Sequence, residues 1–295
     1  MNIKYWVMAI RPHTLPAAIG PLLLGNMLAY THGHFSLWIG VSSMLCAILL
    51  QVGVNLANDY FDAKNGVDTD ERLGPTRVTQ SGLLSANAVR NAMIGSLTAA
   101  VLVGLYLIFV GGWPVLAMAV FAVTGALCYS GGPYPMASHG LGEVAAFIFF
   151  GLLAVVGVYY IQVGHTTLSA WLLASTLGLF NAAIMLVNNT RDITTDAQAG
   201  KHTLAVRIGQ HNARLLYRAL VMLPFLILTL MWLLGGLPGM VVLLAGCAFP
   251  MARLLAGKFA QTEGAALNPL LGRTAQLTLL YSVLLSAGLP LAQLA

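Results

Sequence analysis

NLANDYFDAKNGVDTDERLGPTRVTQSG (Asn55 to Gly82) and NNTRDITTDAQAGKHTLAVRIG (Asn188 to Gly209) are the two longest polar stretches in a chain of 295 residues that is 58% hydrophobic and only 8% charged. Each follows an apolar run, opens on Asn, continues with two Asp and ends in basic residues. A soluble domain carries about 25% charged residues, so the composition excludes a solvated globule, a disordered chain and a coiled coil. What remains is a bundle of membrane helices, each crossing using about 20 mostly apolar residues.

Outward from these stretches, turn or charged residues bound nine apolar runs. They are Thr14 to Tyr30, Leu37 to Leu56, Ala92 to Val110, Trp113 to Tyr129, Val144 to Ile161, Leu168 to Val187, Leu215 to Leu234, Leu237 to Leu255 and Thr274 to Leu294. The connections after the first, third, fifth and seventh runs are short and hold no Lys or Arg, so all 14 basic residues lie at the opposite ends. The excess of basic residues on one side marks it as cytoplasmic. This predicts a cytoplasmic N-terminus and, after nine crossings, a C-terminus outside. All nine Asp and Glu share the basic side.

The two polar stretches follow runs two and six. Their common grammar predicts an all-α membrane protein with a four-helix unit used twice, roughly 1–140 and 141–260, plus one helix, in a single domain over 1–295. The net charge of +5 is too thinly spread to track nucleic-acid phosphates, and no nucleic-acid or protein partner is expected. Arg11 and Pro12 interrupt the pattern of a cleavable leader, so the first crossing is expected to be retained. Cys46, Cys128 and Cys247 are odd in number and far apart, with neither a disulfide framework nor metal-ligand spacing.

If the second crossing stays helical past Leu56, Asn55, Asp59 and Asp62 stand at i, i+4 and i+7 on one face. Asn188, Asp192 and Asp196 stand at i, i+4 and i+8. Carboxylates gathered near hydrocarbon repel one another, and each costs about 2.5–3.5 kcal/mol at a helix centre, unless a cation sits among them. One such acid alone is an ordinary loop charge beside an Arg or Lys. The doubled arrangement points to a site. Oxygen donors without Cys or paired His favour Mg²⁺, usually held by one or two carboxylates plus substrate phosphates. Arg77, Lys201 and Arg207 would supply the cations a diphosphate needs.

Asn58, Asp59 and Asp62 form an N-D-x-x-D motif and Asp192 to Asp196 a D-x-x-x-D motif. In these the chain resembles the UbiA superfamily of intramembrane prenyltransferases. The superfamily's third acid would fall at Gly66, with Asp68 two residues later. RPHTLPAAIGPLLLG (Arg11 to Gly25), NDYFDAKNGVDTD (Asn58 to Asp70), YSGGPYPMASHGLGE (Tyr129 to Glu143) and GKHTLAVRIG (Gly200 to Gly209) resemble the branch that acts on 1,4-dihydroxy-2-naphthoate. The ubiquinone branch carries Tyr-Pro-x-x-Lys-Arg where this chain has YPMASH.

The resemblance implies transfer of a polyprenyl group from its diphosphate to 1,4-dihydroxy-2-naphthoate. CO₂ and diphosphate are lost and demethylmenaquinone is formed at the cytoplasmic face of a bacterial inner membrane. It implies Mg²⁺ on Asp59, Asp62, Asp192 and Asp196 with Asn58, a diphosphate clamp of Arg77 and Lys201, and orienting amides from Asn55, Asn58 and Asn189. Tyr134 and His139 would deprotonate or orient acceptor hydroxyls. Phe61, Phe147, Phe149, Phe150, Tyr159 and Tyr160 are candidates to face an allylic cation. 4-Hydroxybenzoate or another aromatic is the alternative acceptor. Two other classes stay open: a cation-coupled transporter, and a CDP-alcohol phosphotransferase, whose D-G-x-x-A-R signature the chain lacks.

Overall fold

The computed structural model describes residues 3–64, 74, 77–131 and 133–294, and all regular structure among them is helical. Asp68 lies outside the described residues. The helices are α1 (Ile3–Ile10), α2 (Leu15–Thr31), α3 (Leu37–Lys64), α4 (Ala86–Gly111), α5 (Trp113–Ser130), α6 (Gly142–Val163), α7 (Leu168–Arg191), α8 (Ile193–Gln198), α9 (Leu204–Leu233), α10 (Gly239–Gly246), α11 (Phe249–Gln261) and α12 (Asn268–Leu294).

Among the described residues, six helices are long and apolar enough to cross a membrane: α3, α4, α6, α7, α9, and α12 with the turn before it. There are eight if the bent pairs α1–α2 and α10–α11 each count once. The shorter apolar helix over Trp113–Tyr129 coincides with the expected fourth crossing. Phe109 (88% exposed), Trp113 (79%) and Leu243 (72%) belong to a wide exposed apolar surface. A water-soluble protein would bury such a surface. Lipid accepts it, and the chain is a multi-span membrane protein.

Breaks in the helices have local causes. Gly209, at φ 75° and ψ 167°, splits a short first turn of α9 from the long apolar helix, so the expected run at Leu215 starts well inside the element. Within α6, Phe147–Leu153 winds as a π-helix. This widened segment packs on α7, and a Cβ on Gly178 would fall 2.7 Å from Phe147 Cδ2. Only glycine admits that approach.

The largest core centres on α7, where Leu173, Leu177, Phe180 and Leu186 are fully buried. Tyr281 of α12 packs its ring 4.8 Å from that of Phe180, and Tyr217 of α9 stacks 4.1 Å from Phe259. On α12, Thr274, Thr278 and Ser282 are wholly buried and donate their hydroxyls to carbonyls one turn back, at 2.7–2.9 Å. They bury no unpaired donor, and their small size lets α2 approach at Gly20. α2 through α7, with the first turns of α12, surround a cavity.

Candidate active site

The cavity has a volume of about 690 Å³. Its wall follows α3 from Ser43 to Asp62, about 28 Å of helix at ~1.5 Å per residue, nearly the ~30 Å of a bilayer's hydrocarbon. Leu107, Val115, Met118 and Ile161 line one end, and Phe149, Phe150 and Leu50 the middle. The other end, where α3 and α7 finish, is lined by Asn58, Asp62, Arg77, Asn188, Asn189, Arg191, Asp192, Asp196 and Lys201. One amphiphilic space thus joins the two polar stretches.

α3 stays helical to Lys64, as the motif spacing required. At about 100° per residue, Asn55, Asn58 and Asp62 fall within one 60° sector and all three line the cavity. Asp59 stands about 70° from the centre of that sector and is not on the wall. Its carboxylate is 1% exposed and accepts the backbone N–H groups of Val78 (3.2 Å) and Thr79 (2.9 Å). Those bonds hold the turn that carries Arg77, whose guanidinium donates to Asp62 at 2.7 Å. Asn55 donates to the Ile10 carbonyl (2.8 Å) and to Thr14 Oγ1 (3.0 Å), tying the N-terminal segment to α3.

On the second stretch the helix breaks at Asp192, between α7 and α8, but the Asp196 N–H still donates to the Asp192 carbonyl at 2.7 Å. Both carboxylates therefore stay on the cavity wall. Arg191 is 3% exposed and forks onto both oxygens of Asp192, while also donating to Asn188 and Asn268 at 2.9 Å each. Lys201 Nζ lies 3.8 Å from Asp196. Each carboxylate on the wall therefore has a cationic neighbour: Asp62 with Arg77, Asp192 with Arg191, and Asp196 with Lys201.

The donor chemistry suits Mg²⁺ of a particular kind. Among the described residues no three His, Cys, Asp or Glu gather tightly enough to cage an ion. Asp62 on α3 and Asp192 and Asp196 beyond α7, with neutral amide oxygens beside them, suit an ion that completes its shell from substrate phosphates and water.

The loop between α5 and α6 differs from the expectation. Tyr134 is 59% exposed and off the wall, its ring stacked on His139 with centroids 3.5 Å apart. His139 turns inward on itself, Nδ1 lying 2.8 Å from the Pro135 carbonyl. Two other residues of this loop, Ala137 and Ser138, reach the cavity, and so does Tyr129, with its hydroxyl 3.1 Å from Met185 Sδ. Arg207 faces the loop rather than the cavity, donating to the carbonyls of His139 (3.1 Å) and His202 (3.0 Å). Of the aromatic candidates, Phe149 and Phe150 line the cavity; Tyr159 is buried and bonds His32. Sequence reasoning singled out neither Tyr129 nor Arg191, which line the cavity, nor Glu143, which accepts from Asn189 behind it. The repeated Asn-Asn before Arg191 and the one acid of the α5–α6 region were the available signals.

With this geometry in hand, comparison places the chain. A sequence model of the UbiA prenyltransferase family matches residues 18–288, and the chain belongs to that family. It is 35% identical to the 1,4-dihydroxy-2-naphthoate octaprenyltransferase of Escherichia coli K12, over 98% of this chain and 96% of that protein. It is 35% identical to the protein so named in Mycobacterium tuberculosis, over 99% of both. UbiA prenyltransferase domain-containing protein 1 of Homo sapiens is 32% identical, over 97% of this chain and 83% of that one. Among solved structures, a UbiA homologue from Archaeoglobus fulgidus bound to GPP and Mg²⁺ superposes with a TM-score of 0.67 at 14% identity, covering 96% of this chain and 99% of that one. The apo structure of a UbiA homologue from Aeropyrum pernix K1 gives 0.69 at 16%, covering 99% of both. The fold is shared.

Proposed function

We propose that this chain is a Mg²⁺-dependent polyprenyltransferase that joins a polyprenyl diphosphate to 1,4-dihydroxy-2-naphthoate, releasing CO₂ and diphosphate and giving demethylmenaquinol, the reduced form of demethylmenaquinone. The observation that carries this reading is one cavity with a carboxylate, amide and cation cluster at one end and a mostly apolar bore along α3. The names of relatives 35% identical over nearly the whole chain support the acceptor. The solved homologue with GPP and Mg²⁺ supports the metal and the donor class.

In the reaction the donor's C–O bond breaks, a carbon–carbon bond forms at the ring carbon bearing the carboxylate, and that carboxylate leaves as CO₂. Mg²⁺, held by Asp62, Asp192 and Asp196 with Asn58, would neutralise the charge that grows on the departing diphosphate. Arg77 and Lys201 bind diphosphate oxygens and Arg191 steadies Asp192. Asp59 fixes the turn behind Arg77, and Asn55 seats the N-terminal segment against the polar end. Phe149, Phe150 and the apolar bore keep water from the allylic carbon. Tyr129 and Asn189 face the acceptor, in place of Tyr134.

The nine-crossing topology, two halves of roughly 1–140 and 141–260 plus α12, belongs to the same reading. So do the cytoplasmic N-terminus, the outside C-terminus and a polar end facing the cytoplasm of a bacterial inner membrane; the one-sided Lys and Arg support them. The test supplies detergent-solubilised protein with Mg²⁺, a long polyprenyl diphosphate and either carboxyl-labelled naphthoate or carboxyl-labelled 4-hydroxybenzoate. CO₂ release from the naphthoate alone, abolished by EDTA, is the expected result. Prenylation of the benzoate would move the acceptor to the ubiquinone branch, and turnover of neither would overturn the reading.

A further inference from the structure

Glu143 is a buried acid that the proposed reaction does not use. It sits in the first turn of α6, 4% exposed, with Oε1 accepting from Asn189 Nδ2 at 2.9 Å. Oε2 is buried with no hydrogen-bond partner among the described residues. A buried carboxylate oxygen left unpaired is costly, and such groups persist where a site requires them. Glu143 is not on the cavity wall, but three of its surroundings are: Asn189, Tyr129 and Ala145. A Cβ on Gly142 would lie 3.5 Å from Asn189 Nδ2 and 3.6 Å from the Tyr129 hydroxyl, so the three polar groups converge at one point of α6.

A carboxylate can only accept hydrogen bonds. By taking the Asn189 NH₂ group, Glu143 fixes the amide with nitrogen toward α6 and carbonyl oxygen toward the cavity. The neighbouring Asn188 is committed otherwise, its oxygen accepting from Arg191 at 2.9 Å. Asn189 is thus a neutral acceptor beside the cations and carboxylates of the wall. It stands one helical turn from Met185 and next to Tyr129.

We propose that Glu143 is a positioning residue that locks Asn189 as the hydrogen-bond acceptor for an aromatic hydroxyl of the prenyl acceptor. The argument rests on the function proposed above. An acceptor that carries its own carboxylate is repelled by a bare acid on the wall, whereas an amide oxygen takes a ring hydroxyl without that repulsion. The acid stays behind the wall, and its oxygen enforces which end of the amide faces the substrate.

The experiment measures KM for naphthoate and for polyprenyl diphosphate, kcat, and direct naphthoate binding in wild type, Glu143→Leu, Glu143→Gln, Asn189→Leu and the Glu143→Leu/Asn189→Leu double variant. One misplaced hydrogen bond corresponds to about a tenfold loss. Glu143→Leu is expected to raise the naphthoate KM about tenfold, with the donor KM within twofold. It should also lose the preference for 1,4-dihydroxy-2-naphthoate over its analogue lacking one hydroxyl. Glu143→Gln retains an oxygen for the Asn189 NH₂ and should recover most of the loss. The double variant should be no worse than Asn189→Leu, because the two act as one unit. Equal rises in both KM values, a fall in kcat alone, a Gln variant as impaired as Leu, or additive losses would each overturn the proposal. If Glu143→Leu does not fold, the Gln and Asn189→Leu variants decide by the same acceptor-specific split. Wild-type turnover of naphthoate reports separately on the underlying function, and a wild type that neither binds nor turns over naphthoate overturns both.

Discussion

Replacing Asp59 by Ala separates two roles that a motif cannot distinguish. In the structure the carboxylate accepts two backbone N–H groups, from Val78 at 3.2 Å and Thr79 at 2.9 Å, in surroundings where Asp59 and Val78 are almost fully buried. Hydrogen bonds to a charged group contribute about 1.5–3 kcal/mol each. Water can reach the half-buried Thr79 once the carboxylate is gone, so the lower part of the summed range, about 3 kcal/mol, is the expected loss for local opening. That corresponds to roughly 100-fold faster exchange of these two amides. Hydrogen–deuterium exchange on the peptide spanning Arg77 to Leu84 reads it, with peptides from α7 as the control for global loosening. Asp59→Asn keeps one oxygen and loses the charge, so its exchange should rise only about tenfold. Turnover should fall through a raised KM for the prenyl diphosphate, because Arg77 loses its seat beside Asp62. If Asp59→Ala abolishes turnover while Val78 and Thr79 exchange at wild-type rates, Asp59 acts on the substrate or its ion directly and the reasoning is refuted.

Three further outcomes follow from the same geometry. Asp192→Ala strands the buried Arg191 guanidinium and should destabilise the protein by about 3 kcal/mol, whereas Asp196→Ala, opposite Lys201 at 3.8 Å, should cost under ~1 kcal/mol. Thermal unfolding in detergent separates them, while both should lose turnover; equal midpoints would contradict the assigned pairing. Gly157 lines the bore, and a Cβ there would lie 3.5 Å from Met118 Sδ. Gly157→Leu should therefore slow long prenyl donors at least tenfold more than short ones, and equal rates in a donor-length series would place the tail elsewhere. Gly178→Val, driven into Phe147, should lower the unfolding midpoint by the equivalent of 1–3 kcal/mol, with a wild-type midpoint as the contrary result.

The helices were legible because hydrocarbon imposes a length and charged residues mark its edges. Each expected run falls on an observed helix or helix pair. The π-helical turn of α6 and the bend between α10 and α11 were not legible, since they depend on what packs alongside. In the site, Asp62, Asp192, Asp196, Arg77, Lys201, Asn55, Asn58 and Asn189 were expected and all reach one cavity. Asp59 stands off the wall, which motif spacing does not reveal because it does not say which side of α3 faces the bore, and its partners lie about 20 residues away. Arg191 was read as a topology charge, for nothing local reveals that it turns onto Asp192. Tyr134 was expected to meet the acceptor, but the end of α5 supplies Tyr129 as the tyrosine on the wall.

The cavity's unequal ends also set a ruler. Carboxylates and cations gather at the end where α3 and α7 finish, so a diphosphate head is drawn to that end and its tail to the other, the head always at the same depth. The reacting carbon is located from the head and not from the tail. Bond-making is thereby insulated from the length of the chain being transferred, and a change at the far end alters which lipids are accepted without moving the chemistry.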